Sequence, residues 1–301
     1  VLVLAPVETI MVFGGDLMLN GISPKAKPLA GVASEFRRAD VALANVEIPL
    51  TTARTRTRLK SAEEIRRRDQ FVLKADPNHI GGLKDAGFDL VSLANNHAMD
   101  YGEAGLRQTT SLLEKASIRH AGAGRKDVAY SASVFETRSG VRVALLSALA
   151  FISRSAQNKC GPASAKESGV AVIRFDGQIG DPQRKWLKQW VTSARRQADL
   201  VIVGLHWGIE KQTKPTAWQV KLGRATIDAG ADLVWGHHPH VLQPVEVYRG
   251  KPILYSTGNL VSPLSGRSAL FRVRFSGSRF TGHQLLPVIL RNGRTSFPRK
   301  S

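Results

Sequence analysis

Short apolar runs that stop at small or polar residues recur along the chain: TIMVFGGD, VALANVE, FDLVSLANN, VRVALLSA, DLVIVGLHWG, DLVWGHH and KPILYSTGN. A run of roughly four to eight apolar residues bounded in this way, without polar alternation, predicts a strand covered on both faces. Between the runs the period changes to that of a helix. In the clearest case Asp181 is placed to cap, Pro182 takes the first turn, and Trp186, Leu187, Trp190, Val191 and Ala194 fall on one face. A second helix is predicted from about Thr216 to Gly230, with Trp218, Leu222, Ala225 and Ala229 inward and Gly230 as its stop. A third follows Asp100, Tyr101 and Gly102, burying Leu106, Leu113 and Ala116.

Strand and helix alternate up to about residue 240, the pattern of an α/β fold. Beyond it stand only strand-like pieces, VLQPVEVY, KPILYSTG, ALFRVRF and HQLLPVIL, so residues 241–301 are expected to form a mainly β, mostly antiparallel closing segment. No repeat, linker or second core interrupts the chain, and a single domain over 1–301 is expected. One segment breaks the pattern: TTARTRTRLKSAEEIRRRDQ, residues 51–70, is nearly devoid of apolar residues and rich in arginine, and reads as an exposed loop or weak helix. The opening VLVLAPVETIMVF is interrupted by Pro6, Glu8 and Thr9 and is shorter than the roughly 20 residues a membrane span needs. The sequence opens on Val1 with no initiator Met, leaving room for a leader or anchor upstream.

Charge narrows the partners. With 43 Lys and Arg against 24 Asp and Glu, the net charge of +19 favours a polyanion: nucleic acid, an acidic membrane surface or an acidic polymer. A basic host compartment would produce the same bias. The single cysteine, Cys160, excludes an internal disulfide and a cysteine-based metal site.

The strand ends carry the chemistry. In open α/β sheets ligands collect at the carboxyl ends of strands, and here those ends deliver Asp16, then Asn45 and Glu47, then Asn95, Asn96 and His97, then His206 and Glu210, then His237, His238 and His240. Taken singly, each has a structural explanation as a cap, a turn former or a satisfied core histidine. Taken together they are hard or borderline donors suited to a divalent zinc, manganese or iron ion, and burying so many ionisable groups costs free energy unless a metal or a charge partner offsets it.

An Asp after the first strand, an Asn-His pair after a later one, a lone His, and then Gly-His-x-His resemble the calcineurin-like metallophosphoesterase superfamily. More closely, GGDLML, NVEIPLT, LANNHAMDYGEAGL, HWGIE, GHHPHVLQPVEVY and YSTGNLV resemble the CapA or PgsA family of poly-gamma-glutamate capsule proteins, in order from about Thr9 to Val261. The resemblance implies a metallophosphoesterase-like sandwich of mixed β-sheets flanked by helices, holding one or two divalent ions. It puts Asp16 and His240 on one metal, Glu47 at the bridging position, and Asn96, His206 and His238 on the second. His97 takes the general-acid position, with Glu210 as a further catalytic candidate. Asn45 and His237 are left as neighbours of the metals that face substrate or support it, and Arg54, Arg56 and Arg58 as residues that meet an acidic polymer. Two positions depart from the superfamily: Met18 stands where a His ligand is usual, and Glu47 replaces the bridging Asp. The implied setting is the cell envelope or its exterior, reached through an anchor outside this sequence, with membrane-bound capsule synthesis proteins as further partners.

Three functions follow in rank. The first is a metal-dependent hydrolase or transferase acting on an acidic polymer such as poly-gamma-glutamate. The second is a non-catalytic protein that holds or exports the polymer on a relic of that site. A phosphodiesterase or nuclease ranks last, because no aromatic-plus-basic motif of the kind single-strand binders use is present.

Overall fold

The computed structural model describes residues 8–298, so the first seven residues of the opening apolar stretch lie outside it. Two mixed sheets pack face to face. In the first the strands run in the order Arg294–Ser296, Arg279–Arg291, Gly266–Ser276, Glu8–Leu17, Val41–Asn45, Leu90–Ser92 and Arg119–Ala121, with Asn259–Val261 also paired to Glu8–Leu17. The second runs Val245–Tyr248, Lys251–Leu254, Leu233–His237, Leu200–Trp207, Arg142–Ala150 and Ser133–Glu136. The mixed α/β sandwich that the sequence predicts is therefore present.

The continuous apolar runs find their reason in the layers. Each central strand sends alternate residues to opposite faces. Met11, Phe13, Val41, Leu43 and Leu90 meet Val143, Leu145, Ile202, Leu233 and Trp235 between the sheets, with the rings of Phe13 and Trp235 5.6 Å apart. The intervening residues Val12, Ala42, Ala44 and Val91 turn outward onto Phe36, Leu83, Leu106 and Leu113 from helices Ala33–Arg38, His79–Ala86 and Gly102–Lys115. On the far side Ala144, Leu146, Val201, Val203 and Val234 pack against Leu187, Trp190, Leu222 and Ala225 from helices Asp181–Arg195 and Ala217–Asp228. Both faces of the central strands are covered, so these need no polar position until their ends, whereas the outer strand Arg279–Arg291 alternates with exposed residues.

The predicted helices form with small adjustments. Gly180 occupies the N-cap before Asp181, which stands in the first turn, where its charge meets the positive end of the helix. Thr216 caps the next helix and forms a reciprocal capping box with Gln219. The segment after residue 240 does not make a sheet of its own. Lys251–Leu254 runs parallel to Leu233–His237 in the second sheet, whereas Asn259–Val261 runs parallel to Glu8–Leu17 in the first. This crossing from one sheet to the other closes the end of the sandwich at which the polar strand ends collect. Residues 51–60 carry no regular structure, and a five-residue helix, Ala62–Arg66, follows behind a Ser61 and Glu64 capping box. Among the described residues no helix is long and apolar enough to cross a membrane.

Candidate metal centre

Strand register brings the polar ends into line. Asp16 is the register partner of Asn45 on one side and of Asn259 on the other, and His206 is the partner of His237. The two rows belong to different sheets and face each other at the end of the sandwich that residues 255–258 cross. The crossing segment requires a glycine on each strand it passes. A Cβ on Gly15 would sit 1.8 Å from the carbonyl oxygen of Gly258, and one on Gly236 would sit 2.1 Å from that of Tyr255. After Gly236 the chain turns sharply, with His238 at φ +100° and His240 at φ +59°, both in the left-handed region that non-glycine residues seldom adopt. The turn is held by the Lys211 N–H donating to the Pro239 carbonyl at 2.8 Å and by the His238 N–H donating to Asp16 Oδ2 at 3.2 Å. This strained turn carries His238 and His240.

The side chains converge. His240 Nδ1 lies 3.1 Å from Asp16 Oδ2, and its Nε2 lies 3.6 Å from Glu47 Oε1. His206 Nε2 lies 3.8 Å from the same Glu47 oxygen and 2.8 Å from Asn96 Oδ1. The His238 ring centre is 4.7 Å from that of His206, and Phe151 covers His238 at 4.8 Å. Two sets of donor atoms each lie within 4.8 Å of one another: those of Asp16, His206 and His237, and those of Glu47, His238 and His240. Asp16, Glu47, Asn96, His206, His238 and His240 thus form one connected cluster, although the two sets cut across the division that the resemblance implies and include His237.

Burial sets the electrostatics. Asp16, Glu47 and His206 are fully buried. Burial and then the Asp16 charge push the Glu47 carboxyl well above its ordinary range. Burial, reinforced by neighbouring imidazoles, holds His206 well below its ordinary value. Burial lowers His237 to about 4 and, with the charge of His240, His238 to about 3. His240 goes the other way: against the burial penalty, Glu47 and Asp16 raise it to about 10. Burial also opposes ionisation of Asp16, but the His240 contact prevails and lowers it to about 2. The His240 imidazolium is therefore paired with the Asp16 carboxylate, while burial favours the neutral form of Glu47.

That charge is insufficient for the site as a whole. Both oxygens of Glu47, Nε2 of His237 and Nδ1 of His238 are buried with no hydrogen-bond partner among the described residues. Orphaned buried acceptors are rare in folded proteins, and four of them in one cluster of carboxylate and imidazole donors suit a divalent cation.

Other candidates take supporting places. Asn45 is fully buried beneath the cluster, donating Nδ2 to Asp16 Oδ1 at 2.8 Å, and Asn95 donates to the Val46 carbonyl and to Asn45 Oδ1. His237 lies behind His206, Nδ1 to Nδ1 at 2.8 Å. Glu210 is exposed in the turn after its strand, close enough for its charge to act on Glu47 and His240. Arg54, Arg56 and Arg58 are exposed, in a segment tied to the site by the Thr57 N–H donating to the Asp100 carbonyl at 2.9 Å. His97 Nδ1 lies 2.7 Å from Asp100 Oδ2. Burial lowers His97, opposed by the hydrogen bond to Asp100. Met18 packs into the apolar cluster behind the first sheet.

Sequence reasoning missed four residues. Asn259, from the YSTGN stretch, has Oδ1 2.9 Å from His240 Nδ1; its place at a strand start rather than an end hid it. Phe151 carried no polar signal. Asp100 stands three residues after His97, a spacing that could have been read, and Lys60 was submerged in a run of exposed cations.

Known proteins resemble this chain in sequence and in fold. The chain is 32% identical over 256 residues to the capsule biosynthesis protein CapA of Bacillus anthracis, covering 84% of this chain and 56% of that protein. It is 33% identical over 262 residues to the PGA biosynthesis protein CapA of Bacillus subtilis strain 168, covering 83% and 62%. The chain thus spans little more than half the length of these relatives. In fold it is similar to a hypothetical protein of Thermus thermophilus, with a TM-score of 0.57 at 15% identity over 93% of this chain and 99% of that one. A phosphatase of Mycoplasma pneumoniae gives the same TM-score at 13% identity over 94% of each chain. The bacterial capsule synthesis protein family PGA_cap matches residues 10–264, a span that holds every residue of the cluster, and the chain belongs to that family.

Proposed function

We propose that this chain works in bacterial capsule synthesis at the cell envelope, as a divalent-metal-dependent hydrolase or transferase acting on an acidic polymer of the poly-gamma-glutamate kind. The observation that carries this reading is Glu47, a fully buried carboxylate of the first sheet whose two oxygens have no hydrogen-bond partner while two imidazoles from the second sheet, His206 and His240, approach one of them. Asp16 and His240 would hold one ion, Asn96, His206 and His238 a second, with Glu47 between them and His237 behind His206. A bound divalent ion lowers the pKa of its water towards about 7 and polarises the group under attack.

The chain's own residues do the rest. Asn45 orients the Asp16 carboxylate from below. His97, anchored through Nδ1 to Asp100, keeps Nε2 for a second proton and in that imidazolium form would protonate a leaving group. Arg54, Arg56 and Arg58 are exposed in the segment that Thr57 ties to Asp100, and their guanidinium groups would gather successive carboxylates and steer the chain towards the site. Membrane-bound capsule synthesis proteins would hand the polymer to this surface.

A second reading, a polymer-holding protein without catalysis, rests on Met18, whose thioether packs among apolar residues at a position where the superfamily carries a ligand. Elemental analysis of protein purified without added metal, followed by hydrolysis assays on polyglutamate and a generic phosphodiester, separates the two. One or two ions per chain and cleavage of polyglutamate support the first. Metal-free protein that binds polymer but leaves it intact supports the second, and preference for the phosphodiester would overturn both.

A further inference from the structure

Lys60 is the one lysine in the basic segment 51–70, and it is only 3% exposed. Its Nζ lies 2.5 Å from Asp100 Oδ1, 2.9 Å from the Asn96 carbonyl and 2.8 Å from the Phe71 carbonyl. An ammonium has three N–H donors, so all three are used. The other Asp100 oxygen, Oδ2, accepts from the Leu73 N–H at 2.7 Å and faces His97 Nδ1 at 2.7 Å. Both carboxylate oxygens are committed, and the plane in which the His97 ring meets Asp100 is set by a cation from a different segment of chain.

We infer that Lys60 is a positioning residue for the candidate centre: it holds Asp100 so that His97 keeps its Nδ1 proton on Asp100 and leaves Nε2 for substrate, and it ties the polymer-facing arginine segment to the Asn96–His97 loop. A second proton, taken up from solvent at Nε2, forms the imidazolium that protonates the leaving group and reverts to the neutral Nδ1–H ring. This rests on the general-acid reading of His97. A cation that served solubility or polymer attraction would be exposed, as Arg54, Arg56 and Arg58 are. Lys60 instead gives up solvent to bond a main-chain oxygen of the very loop that carries Asn96 and His97, and a buried ammonium is tolerated only where paired and fully hydrogen-bonded. Through this contact, polymer that displaces residues 54–58 would displace the residue that orients His97. Lys60 Nζ lies 3.5 Å from His97 Nδ1, a longer contact than its bond to Asp100, through which its hold on the ring is chiefly exerted.

The test uses Lys60→Met, which keeps the stem and removes the donors, with Lys60→Arg as the conservative variant. Long-range ¹H–¹⁵N spectra report which His97 ring nitrogen carries the proton, a readout independent of turnover. The parent is expected to show a single Nδ1–H form, Lys60→Met a mixture of both forms, and Lys60→Arg a return towards the parent. In parallel, Lys60→Met should lower kcat at least tenfold with KM for polyglutamate within twofold, since the arginines stay in place. Should Lys60→Met fail to fold, Lys60→Gln, which retains two of the three N–H donors without the charge, carries the same measurement with a smaller change in the same direction. A His97 spectrum identical to the parent in folded Lys60→Met or Lys60→Gln overturns the inference. An inactive parent would sink the hydrolase reading, while the spectra would still decide whether Lys60 positions the ring.

Discussion

The Nδ1 atoms of His206 and His237 lie 2.8 Å apart on neighbouring parallel strands, where the two residues are direct register partners. One of these nitrogens must carry a proton and the other must accept it. His206 Nε2 also faces Asn96 Oδ1 at 2.8 Å, and an amide oxygen cannot donate. Without a cation, His206 therefore carries its proton on Nε2 and accepts from His237. With a cation at Nε2 the proton belongs on Nδ1, donated to His237. His237 serves both states, and this explains an imidazole so far inside the sandwich.

Replacing His237 by Ala is accordingly expected to weaken divalent-metal affinity by roughly 10- to 100-fold, the usual effect of losing the partner that orients a ligand. Competition titration with a chelating dye measures it. Unchanged affinity would remove the orienting role, and complete loss of binding would place His237 among the ligands.

Glu47→Gln tests the orphaned carboxylate. A buried carboxylate without partners destabilises the metal-free fold, and the amide removes that charge at nearly constant volume. In chelator the variant should melt at a temperature equal to or above the parent. Added metal should raise the parent's stability by about 2.7 kcal/mol at a hundredfold excess over Kd, and the variant's far less. Equal metal-induced shifts in the two proteins would take Glu47 out of the ligand set.

The exposed arginines make a different kind of prediction. Replacing Arg54, Arg56 and Arg58 together by Gln should weaken polyglutamate binding by about tenfold, since exposed ion pairs contribute about 0.2 to 1 kcal/mol each. The remaining affinity should depend less on salt, because such charges are screened over about 8 Å at physiological ionic strength. Isothermal titration at two salt concentrations checks both statements, and an unaltered triple variant returns the segment to a merely solvated run.

His97→Ala should leave metal content and melting temperature near those of the parent while lowering turnover by roughly 10² to 10⁴, the range for a positioned acid or base. A variant with parental turnover would exclude the general-acid role.

Asp89 offers a control at the opposite end of its strand from the site. It precedes the strand Leu90–Ser92, and its Oδ2 accepts from the Ala42 N–H at 2.8 Å. Burial raises its pKa to about 6, partly offset by the Ala42 bond and the Arg138 charge. For a carboxyl whose folded value exceeds its unfolded one, the protonated form favours folding; the fold is most stable below about pH 4 with respect to this group and loses that contribution as pH rises through about 6. Asp89→Asn keeps the acceptor for Ala42 without the charge. After allowance for solvent screening at this partly exposed group, it should stabilise the protein by about 1 kcal/mol at pH 7 and by nothing at pH 4. Melting curves at the two pH values give the answer, and a gain at pH 4 equal to that at pH 7 would refute the burial account.

The strands, the two long amphipathic helices and the family were legible in the sequence because each rests on local information. A run such as DLVIVGLHWG is apolar throughout because both faces of its strand are covered, and helix Ala217–Asp228 announces itself through Thr216, Gln219 and its apolar period. The donor types were legible for the same reason, since each stands at the end of its own strand. What tertiary structure alone decided is which residues stand together. Register set Asn45 under Asp16 and His237 behind His206 rather than at the face of the site, and a one-residue slip would have reversed those orientations. The crossing of residues 251–261 between the sheets placed Asn259 against His240. Lys60 is the clearest case: by composition it belongs to a solvated basic run, and only a chain path that folds that run over Asp100 removes it from water. Hydropathy is summed over neighbours in sequence, whereas burial is determined by neighbours in space, and at Lys60 the two differ.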